Sequence, residues 1–140
     1  MKTSEIMIEQ LARKRRIALL ESDLHYLNTA SNIKVTRFSD DVGGKGESLE
    51  DKYWKLIENK QLKEIELLKE KMEFNRIDKM LDLLQETNPH GRNAIEMFYF
   101  KGKEMPIIAD TIGFSISHSW KILRDAEIEF EKIFNLSSGN

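Results

Sequence analysis

The C-terminal run from Gly91 to Phe134 contains three short helical patterns separated by two breaks that carry glycine. The patterns cover residues 92–100, 104–112 and the stretch after Ser115, and the breaks are Lys101-Gly102-Lys103 and Gly113. A glycine suits a left-handed turn residue at position 113, and the Ser115 hydroxyl can cap the following helix. Two short helices joined by such a tight turn, with a third in support, are typical of a helix-turn-helix.

Apolar and small residues at helical spacing give each of these three helices a side that we expect to face inward. These residues are Ile95, Phe98 and Tyr99 in the first helix, Ile108 and Ala109 in the second, and Ile116, Ser119, Ile122, Leu123 and Ala126 in the third. Ala109 is small because the two helices of the motif should cross closely, and Ile122 should anchor the second of them. An ordinary three-helix cluster has the same spacing and is the alternative.

Two long helices should precede this segment, because only two prolines and seven glycines interrupt 140 residues. The first is predicted over 1–30, with a seam of apolar residues at alternating three and four: Ile17, Leu20, Leu24 and Leu27. The second is predicted over 48–88, with a seam of Ile65, Leu68 and Met72, an interruption at Asn75, and a shifted seam of Ile77, Met80, Leu81 and Leu84. Asn88-Pro89 should end it.

The predicted fold class is therefore all-α: two long helices, then a three-helix module over 89–135. Gly43, Gly44 and Gly46 mark residues 31–47 as a flexible loop, and 136–140 should be a disordered tail. The simplest arrangement folds the long helices into an antiparallel hairpin. A homodimer through the same seam is the competing arrangement, and the sequence does not separate them.

The basic cluster Arg13–Arg16 has two interpretations. It could contact phosphates, or it could be a solvated face balanced by nearby acids such as Glu9 and Glu21. The second is favoured, because four adjacent residues on a helix point in all directions and form no single stripe.

Composition argues against several classes of function. The chain has no cysteine, so a disulfide scaffold and a thiolate metal site are excluded and a reducing cytoplasm is the expected location. No apolar run approaches the ~20 residues of a membrane span, and the acidic N-terminus does not look like a secretion signal. His25, His90 and His118 lack neighbouring ligand patterns, so neither a metal, a cofactor nor an enzyme activity is predicted. The net charge of −2 disfavours strong independent binding to DNA.

The C-terminal run resembles region 4 of bacterial sigma factors, which reads the upstream promoter element. The matching residues are Ala94-Ile95, Tyr99, Lys103, Ile108-Ala109, Ile112-Gly113-Phe114-Ser115 and the run through Ala126. The whole chain is similar to phage-encoded regulators of the ArpU and RinA type, which control late genes in phages of Gram-positive bacteria. Residues 34–46 also resemble the loop between the first two helices of those proteins.

The resemblance implies a transcription activator that binds double-stranded promoter DNA, with bacterial RNA polymerase as a natural partner. In this motif the N-terminal residues of the second helix enter the major groove. The candidate DNA-binding residues on the helix 115–134 are Ser115, Ser117, His118, Lys121 and Arg124. Lys101 and Lys103, before the first helix of the pair, are candidate contacts to the DNA backbone.

The chain departs from region 4 at the tip of this helix. Region 4 typically has arginine and glutamate where this chain has Ile116, Ser117 and His118. Trp120 should either pack on the supporting helix or stand exposed as a partner contact. The acidic string Asp125, Glu127, Glu129 and Glu131 should point away from DNA, toward a basic surface on the polymerase.

Two other functions stay open. A phage small terminase subunit also joins a helix-turn-helix to long oligomerising helices, although its DNA module is usually N-terminal, and a ring-sized oligomer would favour it. A helical adaptor that binds only protein is the second, and the low positive charge supports it.

Overall fold

A computed structural model describes residues 1–37 and 48–138, with side chains for 1–29 and 48–138, and every regular element in those residues is helical. The helices are α1 (Thr3–Arg37), α2 (Leu49–Thr87), α3 (Pro89–Ile95), α4 (Met105–Ile112) and α5 (Ile116–Ser137), and a π-helical segment, Glu96–Phe100, continues α3. The all-α prediction, with two long helices ahead of shorter ones, is confirmed. No helix in the described ranges is long and apolar enough to cross a membrane.

Some helix limits differ from the prediction. Helix α1 continues to Arg37, past its predicted end at Ala30, because residues 31–37 contain neither glycine nor proline to stop it. Helix α5 continues to Ser137, so Leu136 is helical rather than part of a tail. The rest of the predicted loop, residues 38–47, and the last two residues of the predicted tail lie outside the described residues.

The predicted break at Asn88-Pro89 is confirmed. Helix α2 ends at Thr87, and the Asn88 side chain accepts a hydrogen bond from the amide of Gly91 at 2.9 Å. Pro89 occupies the first turn of α3, where its missing N–H costs no intrahelical bond. The Asn88 side chain and the Pro89 ring therefore separate α2 from α3.

The chain divides into two compact units, residues 1–13 with 73–140 and residues 14–72. The first unit combines the C-terminal helices with one end of each long helix. Its core includes Ile77, Met80, Leu81 and Leu84 of α2, as predicted, together with Ile6, Met7, Ile95, Ile108, Leu123 and Phe130. The shifted seam beyond Asn75 is thus part of the core that holds the C-terminal helices.

Polar side chains at the start of α1 are buried in this first unit and have partners there. The backbone amide of Thr3 donates to the Glu131 carboxylate at 2.8 Å, and the Thr3 hydroxyl donates to the carbonyl of Glu127 at 3.0 Å. The Gln10 side chain donates to the carbonyl of Phe74 at 2.9 Å. These bonds fix the first turns of α1 on α5 and α2.

The second unit is an antiparallel pairing of α1 with α2. Three ion pairs show the direction: Arg16–Glu70 at 3.2 Å, Asp23–Lys63 at 3.3 Å and Glu21–Lys71 at 2.9 Å. From residue 16 to residue 23 of α1, the paired residues move back along α2 from 70 and 71 to 63, so the two helices run in opposite directions. Buried residues Leu20, Leu24 and Leu27 confirm the predicted seam of the first helix.

Two corrections concern α2 and the basic cluster. Ile65, Leu68 and Met72 were expected to form the inward seam of α2, but they are 53%, 59% and 64% exposed. The inward side instead carries half-buried Leu67 and Glu70. The interpretation of Arg13–Arg16 as a balanced face agrees with two of its members: Arg13 lies 3.8 Å from Glu9, and Arg16 pairs with Glu70.

Candidate nucleic-acid interface

A turn of three residues joins α4 to α5, and its backbone has the predicted chemistry. Gly113 has φ +83°, the left-handed conformation that glycine adopts without steric cost. The amides of Gly113 and Phe114 both donate to the carbonyl of Ala109, at 2.9 and 3.1 Å, which ends α4. The Ser115 hydroxyl accepts from the amide of His118 at 3.1 Å and so caps α5. Ser115 was also a candidate DNA-binding residue, and its hydroxyl caps the helix as predicted.

Small and apolar side chains bury the sides of α4 and α5 that face the core. Ile108, Ala109, Leu123 and Ala126 are all buried, in agreement with the prediction. Ser119 is fully buried, and its hydroxyl has no hydrogen-bond partner among the described residues. Its volume rather than its hydroxyl therefore fits the crowded inner side of α5.

The expected inner face of α5 was wrong at its first residue. Ile116 is 48% exposed, and Ile122, the expected anchor, is only half-buried while Leu123 is buried. The inward stripe therefore passes through Ser119, Leu123 and Ala126 and does not include the helix tip. The capped turn determines which side of α5 faces the core, because it fixes the direction of the first helical side chain.

The opposite side of α5 carries the predicted DNA-contact residues. Ser117, Lys121 and Arg124 are exposed and follow one another at four and three residues, so they share one face of the helix. His118 is also exposed, and its ring lies 5.0 Å from that of Phe114. Four of the five candidates on this helix are thus presented outward from its first three turns.

The other two candidates lie on a separate segment. Lys101 and Lys103 are exposed and flank Gly102, whose φ is +61°. The amide of Lys101 donates to the carbonyl of Glu96 at 3.1 Å, and that of Lys103 donates to the carbonyl of Met97 at 2.9 Å. These bonds fix the backbone that carries both lysines just ahead of α4.

A shallow groove next to Lys101 was not anticipated from the sequence. It is lined by His90 and Asn93 of α3, Thr111 and Ile112 of α4, and Glu96, Met97 and Lys101. The polar residues at 90, 93 and 111 gave no motif, since they are distant in sequence and meet only when α3 packs on α4.

Basic side chains are concentrated in one part of the C-terminal module, although the module over 89–135 has six basic and seven acidic side chains in total. Residues 101–124 contain four basic side chains and two acidic ones, Glu104 and Asp110, whereas the chain has a net charge of −2. Lys121 and Arg124 form the basic part of the exposed face of α5. A local positive surface of this size attracts phosphates in a salt-dependent way.

Aromatic rings connect α5 to the π-helical segment, which the sequence had predicted as ordinary helix. The ring of Phe98 lies 5.8 Å from that of Trp120 and 5.0 Å from that of Tyr99, both edge to face. Trp120 thus packs on this segment, the first of its two predicted roles, and is also 41% exposed. The run of three aromatics at 98–100 was the signal available for this packing.

Three members of the acidic string on α5, which was predicted to point toward RNA polymerase, make hydrogen bonds within the protein. Glu127 accepts from the Tyr99 hydroxyl, Glu129 from the Thr87 hydroxyl at 2.5 Å, and Glu131 from the amide of Thr3. Asp125 is the exposed member. Asp125 lies one turn after Lys121 on nearly the same face, whereas the other three carboxylates contact partners in the fold.

The Tyr99–Glu127 contact also changes the acidity of the phenol. Burial and, after it, the hydrogen bond to the Glu127 carboxylate raise the pKa of Tyr99 well above its ordinary range. No group of three His, Asp or Glu side chains that could hold a metal ion occurs in the part of the chain that the structure describes.

Comparisons of the chain with protein-family models, with curated proteins and with solved structures found no match.

Proposed function

We propose that this protein is a DNA-binding transcription regulator that reads promoter DNA with the N-terminal half of α5. The observation that carries the proposal is the exposed face of Ser117, Lys121 and Arg124 on a helix that starts from a tight, capped turn. In helix-turn-helix proteins this part of the second helix enters the major groove. The similarity to sigma region 4 supports a promoter as the target, and the similarity to the ArpU and RinA type supports a phage or prophage late-gene activator.

The chemistry of the exposed face suits base and phosphate contacts. Lysine and arginine can donate to O6 and N7 of guanine, and serine can donate to or accept from any base. The first amides of α5 point along the helix axis and favour a phosphate. Lys101 and Lys103, exposed on a hydrogen-bonded backbone ahead of α4, are the proposed contacts to the DNA backbone.

Alanine substitution of Lys121 and Arg124 tests the proposal. A base contact is worth about 1–3 kcal/mol, so each substitution should weaken binding to the target promoter about tenfold. A lost phosphate contact should instead lower the slope of affinity against salt by about 1. Lys132→Ala is the matched control, because Lys132 is exposed on the same face about three turns further along α5.

Capture from genomic DNA identifies the target and does not require the operator sequence. Purified protein is used to capture fragmented phage and host genomic DNA, with and without RNA polymerase, at two salt concentrations. Enrichment of one promoter region that depends on Lys121 supports the proposal. Affinity that is unchanged in both alanine variants means that α5 does not read the DNA.

A protein partner on the same module is the second candidate, and exposed apolar side chains favour it. Ile107, Ile116 and Trp120 are 50%, 48% and 41% exposed on α4 and α5. Exposed apolar groups of this size are more typical of protein interfaces than of DNA interfaces. If Ile107→Ser and Ile116→Ser abolish capture of RNA polymerase while DNA affinity is unchanged, the apolar residues serve the polymerase and the basic face serves DNA.

A further inference from the structure

Helix α2 carries two stripes of apolar side chains within the second unit, and only one of them faces α1. The first stripe contains half-buried Tyr53, Leu56 and Leu67, on the same side as Lys63 and Glu70, which pair with α1. The second stripe contains exposed Trp54, Leu62, Ile65, Leu68 and Met72, which we call the outer stripe. At 100° per residue, the outer stripe lies nearly opposite the first.

The outer stripe has the spacing of a coiled-coil seam. Ile65, Leu68 and Met72 follow at three and four residues, which corresponds to positions a, d and a of a heptad. Leu62 lies at the flanking e position, and Trp54 lies at d about three turns before Ile65, with polar Glu58 at a and Gln61 at d between them. Because α1 already packs on the opposite side, the outer stripe has room for a further long helix.

A second copy of α2 is the occupant that the residues fit best. Isoleucine at a followed by leucine at d favours two parallel strands, in which each residue meets its own copy. The flanking charges agree with that arrangement. Exposed Glu64 at g of one copy would face exposed Lys69 at e of the other, and the two-fold axis repeats this attraction on the other side.

We propose that the protein forms a parallel homodimer through the outer stripe of α2. The inference does not depend on DNA being the ligand of α5. With a single seam, the hairpin and the dimer would exclude each other. Two stripes allow both, because the first stripe of α2 packs on α1 and the outer stripe packs on the second copy. A dimer of this kind would also supply two copies of the C-terminal module for a two-fold symmetric site.

The absence of cysteine from the sequence makes the test direct. Leu68→Cys places one thiol per chain at a d position, where two parallel copies bring the sulfurs together. Mild oxidation of dilute protein should give a covalent dimer. Glu66→Cys is the matched control, because Glu66 is exposed but lies about 120° around the helix from the seam, and it should stay monomeric on a non-reducing gel.

Charge reversal tests the pairing by a separate route. Lys69→Glu should weaken the dimer by placing Glu64 opposite a second carboxylate, and Glu64→Lys in the same chain should restore it. Sedimentation equilibrium from about 1 to about 100 μM measures both effects against the monomer mass of 16.4 kDa. Circular dichroism verifies that each variant remains helical.

Three results would overturn the proposal. The wild-type protein could sediment as a monomer over the whole range. Leu68→Glu could leave the dimer intact, which would place the interface elsewhere. A mixture of Ile65→Cys and Leu68→Cys chains could cross-link while Leu68→Cys alone does not, which would mean antiparallel pairing about the same stripe.

Discussion

Replacement of Gly91 by alanine should destabilise the protein, although alanine is the better helix former. Gly91 is buried in α3, and a Cβ atom added there would lie 2.6 Å from the Cβ of Ala126 on α5. It would also lie 2.5 Å from the side-chain nitrogen of Asn88. Carbon atoms in good contact are about 3.5–4.0 Å apart, so α3 and α5 cross too closely here for any side chain.

Three terms give the magnitude. Separating packed helices to admit a methyl group costs about 1–3 kcal/mol. Displacing Asn88 removes the cap that accepts from the Gly91 amide at 2.9 Å and costs about 1 kcal/mol more. The helix propensity of alanine returns about 1 kcal/mol. The expected net loss is about 1–3 kcal/mol in the free energy of unfolding.

Urea unfolding followed by circular dichroism measures this loss, with exposed Asn93→Ala on the same helix as the control. A double-mutant cycle then locates its origin. Ala126→Gly alone costs about 1–2 kcal/mol through helix propensity and the lost methyl group. If the contact between the two methyl groups is the cause, the double variant loses at least about 1 kcal/mol less than the sum of the single variants. A neutral or stabilising Gly91→Ala would refute the reasoning, since it would mean that α3 and α5 do not approach this closely.

Other predictions concern the turn, the buried phenol and the start of α1. Gly113→Ala and Gly102→Ala should each cost about 1–2 kcal/mol in urea unfolding, because φ is +83° and +61° and a Cβ at either position would lie in open space, so the cost is purely conformational. Only the unfolded chain releases the Tyr99 proton near pH 10, since the pKa of Tyr99 is raised in the fold, so its contribution is complete below that pH and declines above it. Tyr99→Phe should therefore make the urea midpoint less sensitive to pH between about 9 and about 11, and equal slopes would contradict this. Glu131→Ala should cost about 1 kcal/mol by removing the acceptor at the first residue of α1, whereas Asp125→Ala, on the exposed side of α5, should change stability by less than about 0.5 kcal/mol.

The turn of the helix-turn-helix could be predicted in detail because its chemistry is local. Only a glycine suits the left-handed residue at 113, and the Ser115 hydroxyl reaches an amide of its own helix. The break at Asn88-Pro89 was predictable for the same reason. Each of these features depends on residues within four positions of one another.

The direction in which an apolar stripe faces could not be predicted. The spacing of Ile65, Leu68 and Met72 predicts a seam, but periodicity does not show whether a helix of the same chain covers it, and in the structure these residues are exposed. The first stripe of α2, which faces α1, is a weaker apolar pattern because Lys63 and Glu70 interrupt it. Those two residues form ion pairs with α1 and so hold this side of α2 against it. Partners distant in sequence thus decided which stripe is inside.

The net charge of the chain is a poor guide to the charge around Lys121 for the same reason. The net charge counts Glu127, Glu129 and Glu131 equally with the lysines. Those three carboxylates, however, accept hydrogen bonds from other parts of the fold. A carboxylate engaged in this way adds less to the potential over the Lys121 face than one placed beside it, since both distance and screening reduce its effect. The charge that matters to a phosphate is the charge within about 10 Å of it. On that scale the first three turns of α5 carry Lys121 and Arg124 beside exposed Asp125, so this surface has a small positive charge although the protein as a whole is acidic.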